Sequence, residues 1–179
     1  MDSRIKVLIS ESELDKRTSE LAYEINRDFA GKSVKVLCVL TGGVMFMVDL
    51  VKKLDLDIEM DFMDISSYGA STQSSGIIRI DRDLEKPITG KCVLLVEDII
   101  DTGRTLSHVK KHMMSQNPEC LKICTLLDKP DRRVVNDVTP DYIGFTIPDK
   151  FVIGYGLDYN QKYRNLPFIG EMPPELIED

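Results

Sequence analysis

The sequence predicts one α/β domain over residues 1–179, with a central, mostly parallel sheet flanked by helices. Two observations favour this class. Short apolar runs such as Val93 to Val96 have the composition of strands that are covered on both faces. These runs alternate with segments whose apolar residues recur at helical spacing, as in parallel sheets whose strands are joined by helices. A length of 179 residues and a hydrophobic content of 42% suit a single domain with a substantial core.

The amino-terminal half begins with a helix, predicted over residues 10–29. Ser10 and Glu13 can form a capping box at its start. Its apolar stripe consists of Leu14, Leu21, Ile25 and Phe29. A buried strand, an apolar helix after a Gly-Gly turn, and an alternating strand are then predicted over residues 34–40, 44–54 and 58–64.

The next segment, residues 66–76, is rich in Ser and Gly and carries little apolar weight apart from Tyr68. It is predicted to connect the two strands of a hairpin, the second at residues 77–80, and to be mobile. A mobile connection of this kind can also close over a substrate and exclude water. The two interpretations are compatible.

The carboxyl-terminal half begins with the strand Val93 to Val96, an acidic turn, and a helix on which Leu106, Val109 and Met113 share one face. Further strands are predicted over residues 121–127, 142–145 and 151–155. In open parallel sheets, ligands bind outside the carboxyl ends of the strands. Three polar clusters follow predicted strands, at Thr41, Glu97 and Lys129.

The turn at residues 101–105 has the features of a phosphate site. The first amides of a helix lack internal partners, and the helix dipole favours negative charge there. Gly103 allows close approach of the backbone, and Thr102 and Thr105 add hydroxyl donors. Three nearby carboxylates would repel a phosphate, so they should face a metal ion, a sugar diol or a group that loses a proton. The alternative is a surface turn with solvated acids.

The composition excludes several classes of protein. With 23 basic and 30 acidic residues the net charge is −7, which argues against a broad nucleic-acid surface. An anionic substrate would therefore depend on local amides, a few cations and a divalent ion, for which Mg²⁺ is the expected choice. No apolar run is long enough to span a membrane and the amino terminus lacks a secretory signal, so a cytoplasmic location is expected.

Two constellations that could bind metal are interpreted otherwise. The cysteines, Cys38, Cys92, Cys120 and Cys124, lack CxxC spacing and are expected to be reduced core thiols. His108 and His112 are four residues apart on a predicted helix but have no third ligand nearby, so a solvated helical face is expected.

The run V-E-D-I-I-D-T-G-R-T, residues 96–105, resembles the phosphoribosyl pyrophosphate (PRPP) signature of the type I phosphoribosyltransferases. Within that family the chain is most similar to the hypoxanthine-guanine enzymes. The likeness extends through LTGG at Leu40, SSYG at Ser66, LLDKP at Leu126 and the segment DKFVIGYGLDYNQKYRNLP at residues 149–167. The resemblance implies the type I phosphoribosyltransferase fold, with a small hood formed by terminal segments and a flexible lid loop that includes Ser67 and Tyr68.

The resemblance also implies how PRPP is held. It assigns the 5-phosphate to Asp101, Thr102, Gly103, Arg104 and Thr105. Glu97 and Asp98 would meet the ribose hydroxyls or the metal, Asp158 would be a metal carboxylate, and Arg164 would contact pyrophosphate. Thr41 and Gly42 match a loop whose amides meet pyrophosphate through a non-proline cis peptide. Because Thr41 stands where some relatives have lysine, its role would rest on the backbone.

On the purine side, the resemblance places Asp101 near N7 as the catalytic carboxylate. Asp101 would either share the purine's proton or only hydrogen-bond to it, and the alternative is a helix N-cap. Lys129, a donor only, suits the carbonyl of a 6-oxopurine and not the amino group of adenine. The other residues implied around the purine are Lys150, Phe151, Val152 and Asp158.

The activity implied is transfer of the phosphoribosyl group from PRPP to hypoxanthine or guanine in purine salvage. The reaction would use Mg²⁺ and release pyrophosphate. The expected partners are these small molecules, and neither nucleic acid nor a membrane is expected to bind. The expected assembly is a homodimer or homotetramer. Two alternatives stay open. One is an enzyme of the same fold that prefers xanthine, and the other is a PRPP-sensing or RNA-binding regulator that has kept the fold.

Overall fold

The computed structural model describes residues 4–67 and 78–177. In chain order its strands are β1 Lys6–Ile9, β2 Ser33–Leu40, β3 Asp57–Ser67, β4 Ile78–Arg82, β5 Cys92–Ile100, β6 Cys120–Asp128, β7 Tyr142–Thr146, β8 Val152–Ile153 and β9 Ile169–Glu171. Its helices are α1 Glu11–Asp28, α2 Val44–Val51 and α3 Arg104–Ser115, and short 3₁₀ turns occupy Pro130–Arg132 and Pro174–Leu176.

The main sheet has six strands in the order β4-β3-β2-β5-β6-β7. All neighbours pair in parallel except β4, which pairs antiparallel with β3 at one edge. Helices α1 and α2 cover one face, where Leu21 and Phe46 are fully buried, and α3 covers the other through Val109 and Met113. The predicted α/β class is therefore confirmed, and both faces of the central strands are buried as their apolar runs require.

A second sheet of three strands, in the order β1-β9-β8, brings the amino-terminal strand together with carboxyl-terminal segments. It corresponds to the expected hood.

Three predicted elements are altered. Helix α2 ends at Val51 and not at residue 54, because the amides of Lys53 and Leu54 bond three residues back in a tighter turn. The predicted strand at residues 151–155 is reduced to β8, and β5 extends four residues beyond its predicted end.

Other local predictions are confirmed. Ser10 caps α1, its side chain accepting from the Glu13 amide while the Glu13 carboxylate accepts from the Ser10 amide. The hairpin of β3 and β4 has the expected antiparallel pairing. All four cysteines are free thiols, and burial raises the pKa of Cys38 to about 12. Among the residues that the structure describes, none of the helices is long and apolar enough to cross a membrane.

Candidate active site

Strand β5 carries two adjacent carboxyl groups into the site. Glu97 pairs in register with Thr125 of β6, so it lies within the strand and not in a turn after it. Its Oε2 atom is buried, with no hydrogen-bond partner among the described residues. Burial, followed by the charge of Asp98, raises the pKa of Glu97 well above its ordinary value, and burial likewise raises that of Asp98. A hydroxyl donor or a cation bound beside Glu97 and Asp98 would offset the cost of burying two neighbouring carboxylates.

The loop after β2 packs directly on Asp98. The Leu40–Thr41 peptide is cis, as the resemblance implies. A Cβ on Gly42 would lie 1.6 Å from Asp98 Oδ2, and a Cβ on Gly156 would lie 2.0 Å from the Gly42 carbonyl oxygen. Gly156 therefore requires glycine, because it meets backbone at a left-handed φ, whereas a side chain at Gly42 would displace the Asp98 carboxylate; the loop is enclosed between β5 and the segment that follows β8.

Arg164 is hydrogen-bonded to Gly156, which packs on the Gly42 loop. Its Nη1 donates to the Gly156 carbonyl at 2.7 Å, and the Gly156 amide donates to the Arg164 carbonyl at 2.9 Å. Its Nη2 lies 3.0 Å from Asp158 Oδ1, and Asp158 Oδ2 accepts from the Gln161 amide. The structure thus brings Arg164 and Asp158 together as an ion pair and connects both, through Gly156, to Gly42 and Asp98.

The turn between β5 and α3 has the predicted backbone form. Gly103 is left-handed, with φ 81°, and is the N-cap of α3 without any side-chain cap bond. Thr102 lies beside it, and Arg104 and Thr105 are exposed in the first turn of the helix. Asp101 is not the N-cap, because its Oδ1 instead accepts from Nε of Arg132 at 3.0 Å. The Arg104 amide makes one long bond, to Thr102 Oγ1 at 3.4 Å, and the carboxylate of Asp101 takes none of the first amides of α3.

The segment of residues 129–135 wraps around this turn. The Lys129 amide donates to the Ile100 carbonyl at 2.9 Å, and the Val134 amide donates to the Thr102 carbonyl at 3.1 Å. Behind Gly103 lies Arg133, whose Nη1 would be 3.2 Å from a Cβ at that position. The segment therefore holds the turn through two backbone hydrogen bonds, with the Arg133 side chain packed behind Gly103.

Sequence reasoning missed the roles of Arg132 and Arg133. Arg133 Nη2 pairs with the Asp128 carboxylate, while its Nη1 is buried without a hydrogen-bond partner among the described residues. The available signal was the pair of arginines soon after Lys129, at the end of a strand beside the phosphate turn. Which arginine would contact the turn depends on how the chain folds back, so the pair alone did not identify either contact.

Lys129 lies at the carboxyl end of β6 with its side chain only 8% exposed. Its Nζ donates to the Lys150 carbonyl at 2.7 Å and lies 3.7 Å from Asp149 Oδ1. Phe151 is 42% exposed, and its ring stands perpendicular to that of Tyr159 at 5.7 Å. An ammonium group and an accessible aromatic ring are therefore attached to the same short segment.

The other residues that the resemblance assigns to the purine lie on or beside β8. Val152 lies in β8 opposite Glu171 of β9, and the Lys150 ammonium pairs with the Glu171 carboxylate at 2.6 Å. Of the proposed lid, Ser67 is the last residue of β3, and Tyr68 lies outside the described residues.

A preformed metal site is not present in the described part of the chain, where no three His, Cys, Asp or Glu side chains are grouped to hold an ion. Glu97, Asp98 and Asp158 therefore do not form such a site by themselves. His108 is exposed, and His112 lies 2.9 Å from the Asp83 carboxylate.

Comparison with known proteins agrees with this fold. A family model described as the phosphoribosyl transferase domain matches residues 10–160. A hypoxanthine-guanine phosphoribosyltransferase from Bacillus subtilis is 47% identical over 97% of this chain and 96% of that protein. A crystal structure of a hypoxanthine phosphoribosyltransferase from Staphylococcus aureus superposes with a TM-score of 0.94, at 42% identity and over 100% of both chains.

Some relatives are much longer. A bifunctional protein TilS/HprT from Listeria monocytogenes is 48% identical over 97% of this chain, which spans 27% of that protein's length. The matched residues include the loop after β2, the turn before α3 and the segment that carries Lys129. The chain belongs to the phosphoribosyltransferase family, in the group of the hypoxanthine-guanine enzymes.

Proposed function

We propose that this protein transfers the phosphoribosyl group of PRPP to hypoxanthine or guanine, in purine salvage. One purine nitrogen forms the bond to the anomeric carbon, the bond to pyrophosphate breaks, and a different ring nitrogen, the one near Asp101, gives up its proton to that carboxylate or to solvent. The observation that carries the proposal is the arrangement of three strand ends. The Gly42 loop, the Asp101 turn and Lys129 follow β2, β5 and β6, which are neighbours in the sheet.

The phosphate-binding role rests on the turn from Asp101 to Thr105. Its left-handed Gly103 and the first amides of α3, of which only that of Arg104 makes a long bond to Thr102 Oγ1, can offer main-chain N–H groups to one phosphate. The hydroxyls of Thr102 and Thr105 can add further donors, with Arg104 beside them. Behind Gly103 the Arg133 guanidinium is already paired with the Asp128 carboxylate, so it supports the turn by packing and adds no net charge.

The pyrophosphate role rests on the loop at Thr41 and Gly42 together with Arg164. Pyrophosphate leaves with negative charge accumulating on its oxygens, which amides and a guanidinium stabilise. Thr41 brings no cation, so Arg164 would supply the charge on this side. Arg164 is already paired with Asp158, so its guanidinium would have to contact both Asp158 and the pyrophosphate of the bound substrate.

The donor set suits Mg²⁺. The orphaned Glu97 Oε2, together with the carboxylates of Asp98 and Asp158, provides the hard oxygen ligands that this ion prefers. Because Mg²⁺ is usually held by one or two carboxylates plus substrate phosphates, the lack of a three-residue cluster among the described residues fits binding together with PRPP. The ion would neutralise charge on the leaving pyrophosphate.

Purine selection would depend on Lys129, because its ammonium can donate to the oxygen of a 6-oxopurine and cannot accept from adenine's amino group. The exposed Phe151 ring offers a stacking surface. Main-chain groups at Val152 and the neighbouring Lys150 would complete the purine site. Asp101 would accept or share the proton of the bound purine.

The test is pyrophosphate release by the purified chain with PRPP and Mg²⁺, measured separately with hypoxanthine, guanine, xanthine and adenine. We expect turnover with the first two and little with adenine. A clear preference for xanthine would favour the alternative substrate, and no release with any purine alongside tight RNA binding would favour a regulator. We also propose that the protein is cytoplasmic and that it forms a homodimer or homotetramer. Analytical ultracentrifugation of the purified chain would test the oligomeric state.

A further inference from the structure

We propose that Arg132 is a positioning residue for Asp101, directing one oxygen of that carboxylate toward the purine. The inference rests on the proposed function and adds a residue to its machinery. Among the described residues, Arg132 is the only side chain that hydrogen-bonds to Asp101. The bond runs from Nε to Oδ1 at 3.0 Å, so Oδ2 is left for the substrate.

The backbone of Arg132 is itself held beside the site. Residues 130–132 form a 3₁₀ turn that begins with Pro130, and the Arg132 amide donates to the Lys129 carbonyl at 3.1 Å. Lys129 in turn donates its amide to Ile100, next to Asp101. The guanidinium therefore approaches Asp101 from a turn that is hydrogen-bonded to the end of β5.

Arg132 also reaches the purine side of the site. Its Nη1 lies 3.6 Å from Asp149 Oδ2, and the other oxygen of Asp149 lies 3.7 Å from Lys129 Nζ. A chain of alternating charges thus runs from Asp101 through Arg132 and Asp149 to Lys129. The group that would receive the purine's proton and the group that would bind its carbonyl are held by one network.

A purely structural role for this pair is a poor explanation. The side chains of Arg132 and Asp101 are 47% and 42% exposed, and ion pairs of such exposure contribute little to stability. Orientation matters more at this position, because a half-exposed carboxylate can otherwise rotate away from the purine. A guanidinium binds from a fixed direction, which a flexible ammonium does not reproduce.

The experiment compares Arg132→Ala and Arg132→Lys in the natural chain and in an Asp101→Asn background. We expect Arg132→Ala to lower kcat on the order of tenfold, a part of the 10²- to 10⁴-fold that positioned proton transfer contributes. The KM for PRPP should stay within about twofold, since uniform substrate binding is not affected. Arg132→Lys should recover only part of kcat, and in the Asp101→Asn background the alanine substitution should have no further effect.

The matched control is Arg27→Ala, which removes another exposed arginine that pairs with an aspartate, Asp28, at 2.9 Å. It should leave kcat unchanged, and thermal unfolding should show that both alanine variants remain folded. An unchanged or increased kcat in Arg132→Ala would overturn the inference, as would an equal loss in the Asp101→Asn background. If the unmodified chain turns over no purine, the proposed function fails first, and this role fails with it.

Discussion

Replacing Gly156 by alanine should separate the effect of the Gly42 loop's geometry on activity from its effect on the stability of the fold. Gly156 has φ 103°, and an added Cβ would lie 2.0 Å from the carbonyl oxygen of Gly42. Real Cβ contacts do not fall below 3.0 Å, so the two backbones must separate by about 1 Å. Neither atom belongs to a flexible side chain, so the shift cannot be absorbed by a rotamer change.

The expected cost has two parts. A non-glycine residue at such a φ destabilises the fold by about 1 to 3 kcal/mol. Displacement of the Gly42 loop by about 1 Å should in addition lower kcat/KM for PRPP on the order of 100-fold, as misplacements of this size do in other active sites. The assay is steady-state kinetics with varied PRPP at saturating hypoxanthine, together with urea unfolding of the same variant.

The matched control is Gly31→Ala. Gly31 also has a left-handed φ, 75°, but no atom lies within 4 Å of its added Cβ. The Gly31→Ala variant should therefore lose stability while its kcat/KM for PRPP stays unchanged. The reasoning would be refuted if Gly156→Ala kept its PRPP kinetics, or if Gly31→Ala lost activity to the same extent.

Three further predictions concern other parts of the molecule. Asp101→Asn should lower kcat more than tenfold with little change in PRPP affinity, because the amide cannot take up the purine's proton; equal losses in both would contradict the proposed base. Lys129→Ala should reduce kcat/KM for hypoxanthine far more than the affinity for PRPP measured by calorimetry, and parallel losses would argue against purine selection. Lys35→Met should cost about 3 to 5 kcal/mol of unfolding free energy in urea, because it removes the ammonium from the buried Asp61 carboxylate and leaves it only the amide donors of Phe62 and Glu85; unchanged stability would contradict this.

The local pattern of the sequence was sufficient for the elements around the site. The capping box at Ser10 depends on a residue three positions away, and the strand, turn and helix around Gly103 are encoded by adjacent residues. Such signals act over a few residues and can be read without knowing the fold. The end of β5 differs from the local pattern, because the polar Glu97 predicts that the strand stops at Val96. Pairing with Thr125 of β6 carries the strand on through Glu97.

The proposed lid is a different case. The hairpin that carries it is present in β3 and β4, whereas Tyr68 lies outside the described residues. Its closure over a substrate therefore remains a prediction from composition and resemblance.

The sequence by itself determined the α/β class, the strand, turn and helix around Gly103, and the family to which the chain belongs. The tertiary structure decided which side chains meet: Gly156 against Gly42, Arg132 on Asp101, and Lys129 on the carbonyl of Lys150. Arg132 and Asp101 are separated by 31 residues, and their contact exists because β5 and β6 are parallel neighbours that end at the same edge of the sheet. Strand order is set by packing of the whole domain, so the acidic turn that resembles a PRPP site shows its partners only in the folded chain.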